Sequence, residues 1–531
     1  MQDFSPREVL ELYPPHDYTL HGYFASRCST DSARPFLVFG DRAWTWGEFR
    51  DEIDQTARMF VLRGVRRGDR VAIMAANSDA HVLLLFSMAR IGAILVPVNP
   101  QFGAAEARYV MEHAGVTAVG CSSSARDVAA EACGGIQPSP WFFMVDGAVP
   151  GTPTLADLTR AENAAALPED VAADETCIII YSSGTTGFPK GVMHSQRNFL
   201  LSGEVHLGRT HLQPHGRVLC MLPMFHVNAL FYTLGSAIAA GASAAIAPRF
   251  SASQFWRIVA RCGATHTTVM ASAGALLTQR PRAEFVPTHR LTVVNGSGFT
   301  PDTLRWFHEE FRVPVIIEGF GMTEIPATFG NPYAGPHKLG SMGIPATHPL
   351  QTGPWTQARI LDDDGHDGPE GIPGELAVRV PCIMQGYFRD PEQTAAAMLD
   401  GWFLTGDVVR RDADGFYFFV SRKKDIIRRR GENVSSAELD RIIREHPAVS
   451  EAAVIGVEGD PGDEEIMAVV ALKPRASATA EEIRQWCAER LAAHKVPRFV
   501  VFLPDLPHTP THKIAKHLLK KDPAILAAVR R

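Results

Sequence analysis

The apolar positions of this chain fall into short runs separated by stretches of helical length, and this alternation predicts a strand-helix rhythm. Residues 71–77 predict a strand, 80–91 an apolar helix and 93–98 a second strand. Joined by short connections, the three make a β-α-β unit, which implies parallel strands covered by helices. Similar runs recur at 218–222, 244–247, 267–270, 291–295 and 315–318. The longest apolar stretch, 231–247, is full of glycine, alanine and serine and falls just short of a membrane span. It reads as a buried helix followed by a strand.

Beyond residue 355 the texture changes. Residues 358–361 and 375–380 flank a turn rich in Gly, Asp and Pro, and 408–420 carries an Asp414-Gly415 step between apolar runs, a hairpin signal. Antiparallel structure is therefore expected to close a large domain. The run 421–430, S-R-K-K-D-I-I-R-R-R, is a sharp basic shift and the candidate boundary, giving domains of 1–421 and 422–531. A compact α+β module should follow. Ser435 with Glu438 has capping-box spacing, Leu439, Ile442 and Ile443 have helical spacing, and Thr479 with Glu482 opens another helix. Residues 454–457 and 466–472 read as its strands. The fold class is α/β, with a large N-terminal domain and a small α+β C-terminal one.

Composition narrows the partners. With 531 residues the chain exceeds one ordinary core, and 46% hydrophobic with 21% charged residues is a soluble globular balance. A formal charge of −6 gives no reason to expect nucleic acid, so small molecules are the expected partners. Eight cysteines without a C-x-x-C pair fit a reducing compartment and argue against a disulfide framework or a zinc site. M-Q-D-F-S-P-R-E has no apolar signal region and A-A-V-R-R matches no peroxisomal tripeptide, so a cytoplasmic protein without an integral membrane segment is expected. A homodimer is compatible with the sequence but not required by it.

The richest chemistry lies at 181–192, Y-S-S-G-T-T-G-F-P-K-G-V. An apolar strand, 177–181, leads into a loop of Ser182, Ser183, Gly184, Thr185, Thr186 and Gly187, with Lys190 beyond it. Backbone N–H groups, hydroxyls and one ammonium are what a polyphosphate requires, and glycine lets the backbone approach closely. No G-K-[S/T] follows, so this is not a Walker A loop. Four further motifs stand out: E-G-F-G-M-T-E at 318–324, G-W-F-L-T-G-D at 401–407, P-M-F-H-V-N at 223–228 and P-T-H-K at 510–513. Following an apolar strand, the first of these falls at the carboxyl edge of a sheet, where α/β ligand sites form. Taken singly, the two glycine motifs read as turns, His226 as a satisfied core residue and Lys513 as one of several tail lysines.

In these motifs and their order the chain resembles the adenylate-forming superfamily of acyl-CoA synthetases, peptide-synthetase adenylation domains and beetle luciferases, over almost its whole length. The resemblance implies an AMP-binding domain, 1–421, of parallel sheets plus a distorted antiparallel barrel, and a mobile cap, 422–531, turning about a hinge at Lys424. It implies ATP, Mg²⁺ and coenzyme A as reactants and cofactor, with a carboxylic acid as substrate. Ser182 to Gly187 and Lys190 would hold phosphates, Thr323 a phosphate oxygen, and Glu324 the magnesium. Gly319 and Phe320 would lie at the adenine, Phe320 standing where the family most often has tyrosine. Asp407 and Arg422 would grip the ribose, Gly431 would leave room for pantetheine, and His226 would flank the acyl pocket. Lys513 would swing in to neutralise charge on the α-phosphorus.

Two departures accompany the match: His512 replaces the usual glycine before the lysine, and Val380 replaces glycine in the R-x-P step. No acid occurs between Pro223 and Asn228, which disfavours an amino-acid substrate. The expected activity is an AMP-forming acyl-CoA synthetase, closest in texture to fatty-acyl and carnitine or crotonobetaine CoA ligases. A ligase loading a carrier protein, a luciferase-like oxygenase and a non-catalytic nucleotide-binding homologue share the motifs.

Overall fold

A computed structural model describes residues 3–160, 165–182, 189–429, 432–458, 464–508, 514–523, 525 and 528. The chain divides into two compact units, one of Met1–Gln357 with Arg379–Gly401 and one of Ala358–Val378 with Trp402–Arg531.

Two large sheets form the first unit. In the seven-stranded sheet, Ile94–Val98, Arg70–Met74, Val116–Cys121 and Trp141–Met144 run parallel, and Thr176–Ser182 joins alongside Ile94–Val98. These strands read as unbroken apolar runs because neither face is wet: Val71, Ala72, Ile73 and Met74 are all fully buried. The expected helix between the first two strands is Asp79–Arg90, apolar on nearly every face and buried along its length. Two antiparallel strands, Lys190–Ser195 and Gly386–Tyr387, finish this sheet.

The nine-stranded sheet carries Val315–Phe320, Val293–Ser297, His266–Met270, Arg217–Cys220, Ser243–Ile246 and Pro35–Phe39 as its parallel centre. Short antiparallel strands close both edges. The apolar stretch 231–247 is a helix and a strand as expected, but the helix opens as a wide π-type turn, Asn228–Leu234, before Gly235–Ala240. The helix Gln196–Thr210 lies against it so closely that a Cβ at Gly203 would stand 2.5 Å from the Gly235 backbone. Among the described residues no helix is long and apolar enough to cross a membrane.

In the second unit, Gly374–Arg379, Trp402–Arg411 and Tyr417–Arg422 pair antiparallel. The Asp414-Gly415 hairpin is present: Asp412 Oδ1 accepts from the N–H groups of Asp414 and Phe416, and Gly415 takes φ +85°. Further along, Val449–Glu458, Glu464–Leu472 and Phe499–Phe502 form a three-stranded sheet with the helices Ser436–Arg444 and Ala480–Ala488. Thr479 and Glu482 make the full reciprocal cap. Ser435 and Glu438 make only half of one, because Lys495 Nζ draws the Glu438 carboxylate away at 2.7 Å. The basic run is no bare linker: Ile426–Arg429 is a strand, and Arg429 reaches Glu465 at 2.9 Å.

Candidate active site

Antiparallel pairing sets Ser182 opposite Lys190, so these two residues form the two feet of the glycine-hydroxyl loop. Ser183, Gly184, Thr185, Thr186 and Gly187 lie outside the described residues. Tyr181, just before the loop, is pinned by a 2.7 Å hydrogen bond to His113 Nδ1. Lys190 Nζ stands 4.9 Å from the centroid of the Tyr387 ring.

Tyr387 ties this loop to the second motif. Its hydroxyl donates to Glu324 Oε1 at 3.0 Å, while the backbone N–H of Met384 donates to the Glu324 carbonyl at 2.8 Å. Glu324 is 8% exposed, and among the described residues its Oε2 has no hydrogen-bond partner. One oxygen is thus held and the other is open. No group of three potential metal ligands occurs among the described residues. A site with one protein carboxylate suits magnesium, which keeps its water and takes the rest of its ligands from phosphates. The donor set fits that ion.

Thr323 is held from the other side. His194 Nε2 donates to its carbonyl at 2.7 Å, and Asn198 Nδ2 approaches His194 Nδ1 at 3.4 Å. Burial pulls the His194 imidazole down to about 4, so the ring is neutral with its proton on Nε2. The strand Val315–Phe320 delivers the motif, with Gly319 paired to Gly330 and Phe320 to Phe329. Phe320 remains half-buried, its ring edge-on to Phe329 at 6.0 Å. Glu318, one step earlier, is a structural acid: its Oε1 accepts from the Phe299 N–H at 2.9 Å.

His226 sits in a tight turn whose N–H donates to the Pro223 carbonyl at 3.0 Å, its ring 4.4 Å from that of Phe225. The turn joins Arg217–Cys220 to the helix Asn228–Leu234.

In the second unit Asp407 and Arg422 face each other across adjacent strands, with Arg422 Nε 2.7 Å from Asp407 Oδ1. Asp407 is fully buried and Arg422 half-exposed. Thr405 braces the turn, accepting from the Asp407 N–H at 3.1 Å and donating to the Leu376 carbonyl at 2.8 Å. Gly406 takes φ +69°, which a side chain would resist. Lys423 pairs with Glu375 at 2.7 Å. Lys424 has its backbone in the short turn Lys423–Asp425, whereas Gly431 and Lys513 lie outside the described residues.

Sequence reasoning missed Tyr387 and His194, which bind the loop and the T-E step into one assembly. His194 sits on Lys190's own strand and Tyr387 on the strand paired with it, but nothing in M-H-S or G-Y-F marks them locally. Only the strand register brings them in.

A family model described as "AMP-binding enzyme" matches residues 24–388, and "AMP-binding enzyme C-terminal domain" matches 438–513. Sulfoacetate–CoA ligase of Cupriavidus necator is 31% identical over 504 residues, covering 94% of this chain and 96% of that protein. Crotonobetaine/carnitine–CoA ligase of Escherichia coli is 30% identical over 494 residues, covering 90% and 93%. Among solved structures, ATP-bound MatB from Rhodopseudomonas palustris superposes with a TM-score of 0.83 at 27% identity, covering 94% of this chain and 98% of that one.

Proposed function

We propose, for a chain that belongs to the AMP-binding enzyme family and is an AMP-forming acyl-CoA synthetase, a role for each residue of the site. ATP and a carboxylic acid give acyl-adenylate and pyrophosphate, and the CoA thiol then displaces AMP. A carboxylate is a poor electrophile, and its mixed anhydride with AMP carries a good leaving group.

The hydroxyls of Ser182, Ser183, Thr185 and Thr186, the N–H groups around Gly184 and Gly187, and Lys190 hold the phosphates. Thr323 takes a phosphate oxygen. Glu324 offers Oε2 to magnesium, which when bound neutralises phosphate charge. Phe320 with Gly319 covers the adenine, and Asp407 with Arg422 holds the ribose hydroxyls. His226 borders the acid. Lys513 stabilises negative charge on the α-phosphorus, then leaves as 422–531 turns about Lys424 and Gly431 admits pantetheine. The observation that carries this reading is Tyr387: it touches both Lys190 and Glu324 and so couples the loop's foot to the acidic step.

The relatives act on sulfoacetate and on crotonobetaine or carnitine. We place the acid of this chain among small carboxylic acids with a second charged group. The reaction belongs in the cytoplasm, where ATP and CoA are supplied and its free thiols stay reduced. The test is a pyrophosphate-release screen over short, long, aromatic and charged acids, followed by thioester formation with CoA or with a holo-carrier protein. Release without transfer to CoA refutes this reading in favour of the carrier-loading one. Absence of release with every acid refutes both.

A further inference from the structure

Arg209 is a largely buried cation that the roles above leave unused. It lies in the last turn of the helix Gln196–Thr210, over the pair Gly319 and Gly330. A Cβ at Gly319 would stand 2.6 Å from its Nη1, and one at Gly330 2.2 Å from its Nε. The two paired glycines therefore clear the space that the guanidinium fills.

Its partners are too few. Of the several N–H donors a guanidinium carries, one makes a hydrogen bond among the described residues, Nη2 to the Ala327 carbonyl at 3.3 Å. Among the described residues no carboxylate pairs with it. Its titratable neighbours offer no compensation: burial pushes the Tyr232 phenol up to about 12 and keeps it neutral, and His206 is a further base on the same helix face. His206 is 3% exposed, stacks on Tyr232 at 5.2 Å, and leaves its Nδ1 without a partner. Other buried arginines are satisfied differently. Arg90 has Asp54 at 3.4 Å, Arg429 has Glu465, and Arg27 lies 3.7 Å over the Tyr23 ring.

An uncompensated guanidinium in a protein interior is expensive, and the usual remedy is a counter-ion. Burial alone pulls Arg209 down to about 10, yet the side chain is not sealed and keeps part of its surface accessible. It is therefore packed on the two glycines and borders solvent-accessible space elsewhere. That space is on the face of the strand Val315–Phe320 that Gly319 shares, opposite the face of Phe320, since successive residues point to opposite sides. If Phe320 covers adenine, Arg209 stands on the acid's side. Tyr232 belongs to the helix that begins at Asn228, directly after the His226 turn, and its hydroxyl accepts from the Ala327 N–H at 2.9 Å.

We propose that Arg209, with Tyr232 and His206 around it, is a specificity residue that binds a second anionic group, a carboxylate or a sulfonate, on the far end of the acid being activated. This rests on the acyl-CoA synthetase reading and names its substrate class: short acids with two anionic ends, one adenylated and the other held by Arg209.

The test compares acids of matched length with wild-type enzyme, measuring pyrophosphate release: a neutral acid, an ω-trimethylammonium acid, a dicarboxylate and an ω-sulfonate. The dianionic acids should have the highest kcat/KM. Arg209→Met should lower their kcat/KM by about 100-fold, the loss of one charge-assisted contact left in a buried site, through KM more than kcat, with neutral acids kept or improved. Arg209→Lys should recover part of the loss. Wild type preferring neutral or cationic acids overturns the proposal without a variant, as does an equal loss on all acids in Arg209→Met. No pyrophosphate release from any acid condemns the underlying synthetase reading instead.

Discussion

Replacing Asp407 by asparagine separates ribose recognition from hairpin stability. The side chain is fully buried at the middle of Trp402–Arg411, and Arg422 Nε stands 2.7 Å from its Oδ1. Asparagine keeps the volume and removes the charge. A hydrogen bond to a charged group contributes about 1.5–3 kcal/mol and a neutral one about 0.5–1.5. Each ribose hydroxyl then loses about 1–1.5 kcal/mol, and two lose about 2–3, equal to about 30- to 160-fold in ATP affinity. The fold should suffer little. Asparagine keeps a carbonyl oxygen for Arg422, and Arg422, 36% exposed, takes its remaining hydrogen bonds from water.

The assay is ATP–pyrophosphate exchange with a saturating acid, using ATP and 2′,3′-dideoxy-ATP on both proteins. Wild type with the dideoxy nucleotide should resemble Asp407→Asn with ATP. The two losses should not add, because both delete the same contacts. Fully additive losses, or an unchanged KM for ATP in a folded variant, would refute ribose binding and leave Asp407 as a hairpin anchor.

Three further outcomes follow from the same geometry. Lys513→Ala should lower adenylate formation by about 10²–10³, the size of one oxyanion-type donor, yet spare thioester formation from supplied acyl-adenylate; equal loss in both half-reactions contradicts the two-orientation mechanism. Tyr387→Phe deletes the donor to Glu324 Oε1 and should raise the magnesium concentration needed for half-maximal exchange several-fold with little change in the acid's KM; an unchanged magnesium titration contradicts the brace. His194 has an ordinary value of 6.5 that burial depresses to about 4, so the unfolded chain binds a proton the folded one refuses. Stability from this group is whole above pH 6.5 and is lost as pH falls toward 4, by about 3 kcal/mol at the limit. His266, depressed to about 4 for the same reason, adds to the slope. His194→Gln should flatten the fall of the chemical-denaturation midpoint over that window, and an unaltered slope would remove His194 from the acid transition.

Local pattern settled a good deal. Unbroken apolar runs such as 71–74 and 94–98 fixed parallel strands buried on both faces, because a strand wet on one side would alternate. The Asp414-Gly415 hairpin and the Thr479–Glu482 cap depend on residues three or four apart, and both were readable. The adenylate-forming chemistry came with the resemblance that the motifs carry together and in order. What required the folded molecule is every contact across strands or between distant segments. Glu438 looked like a reciprocal cap until Lys495, 57 residues away, took its carboxylate. Tyr387 meets Glu324 and Lys190, and Arg209 meets Gly319 and Gly330, only through sheet register and helix packing. Linear spacing carries no information about a charge's partner when that partner, or its absence, is decided by what the fold brings alongside it.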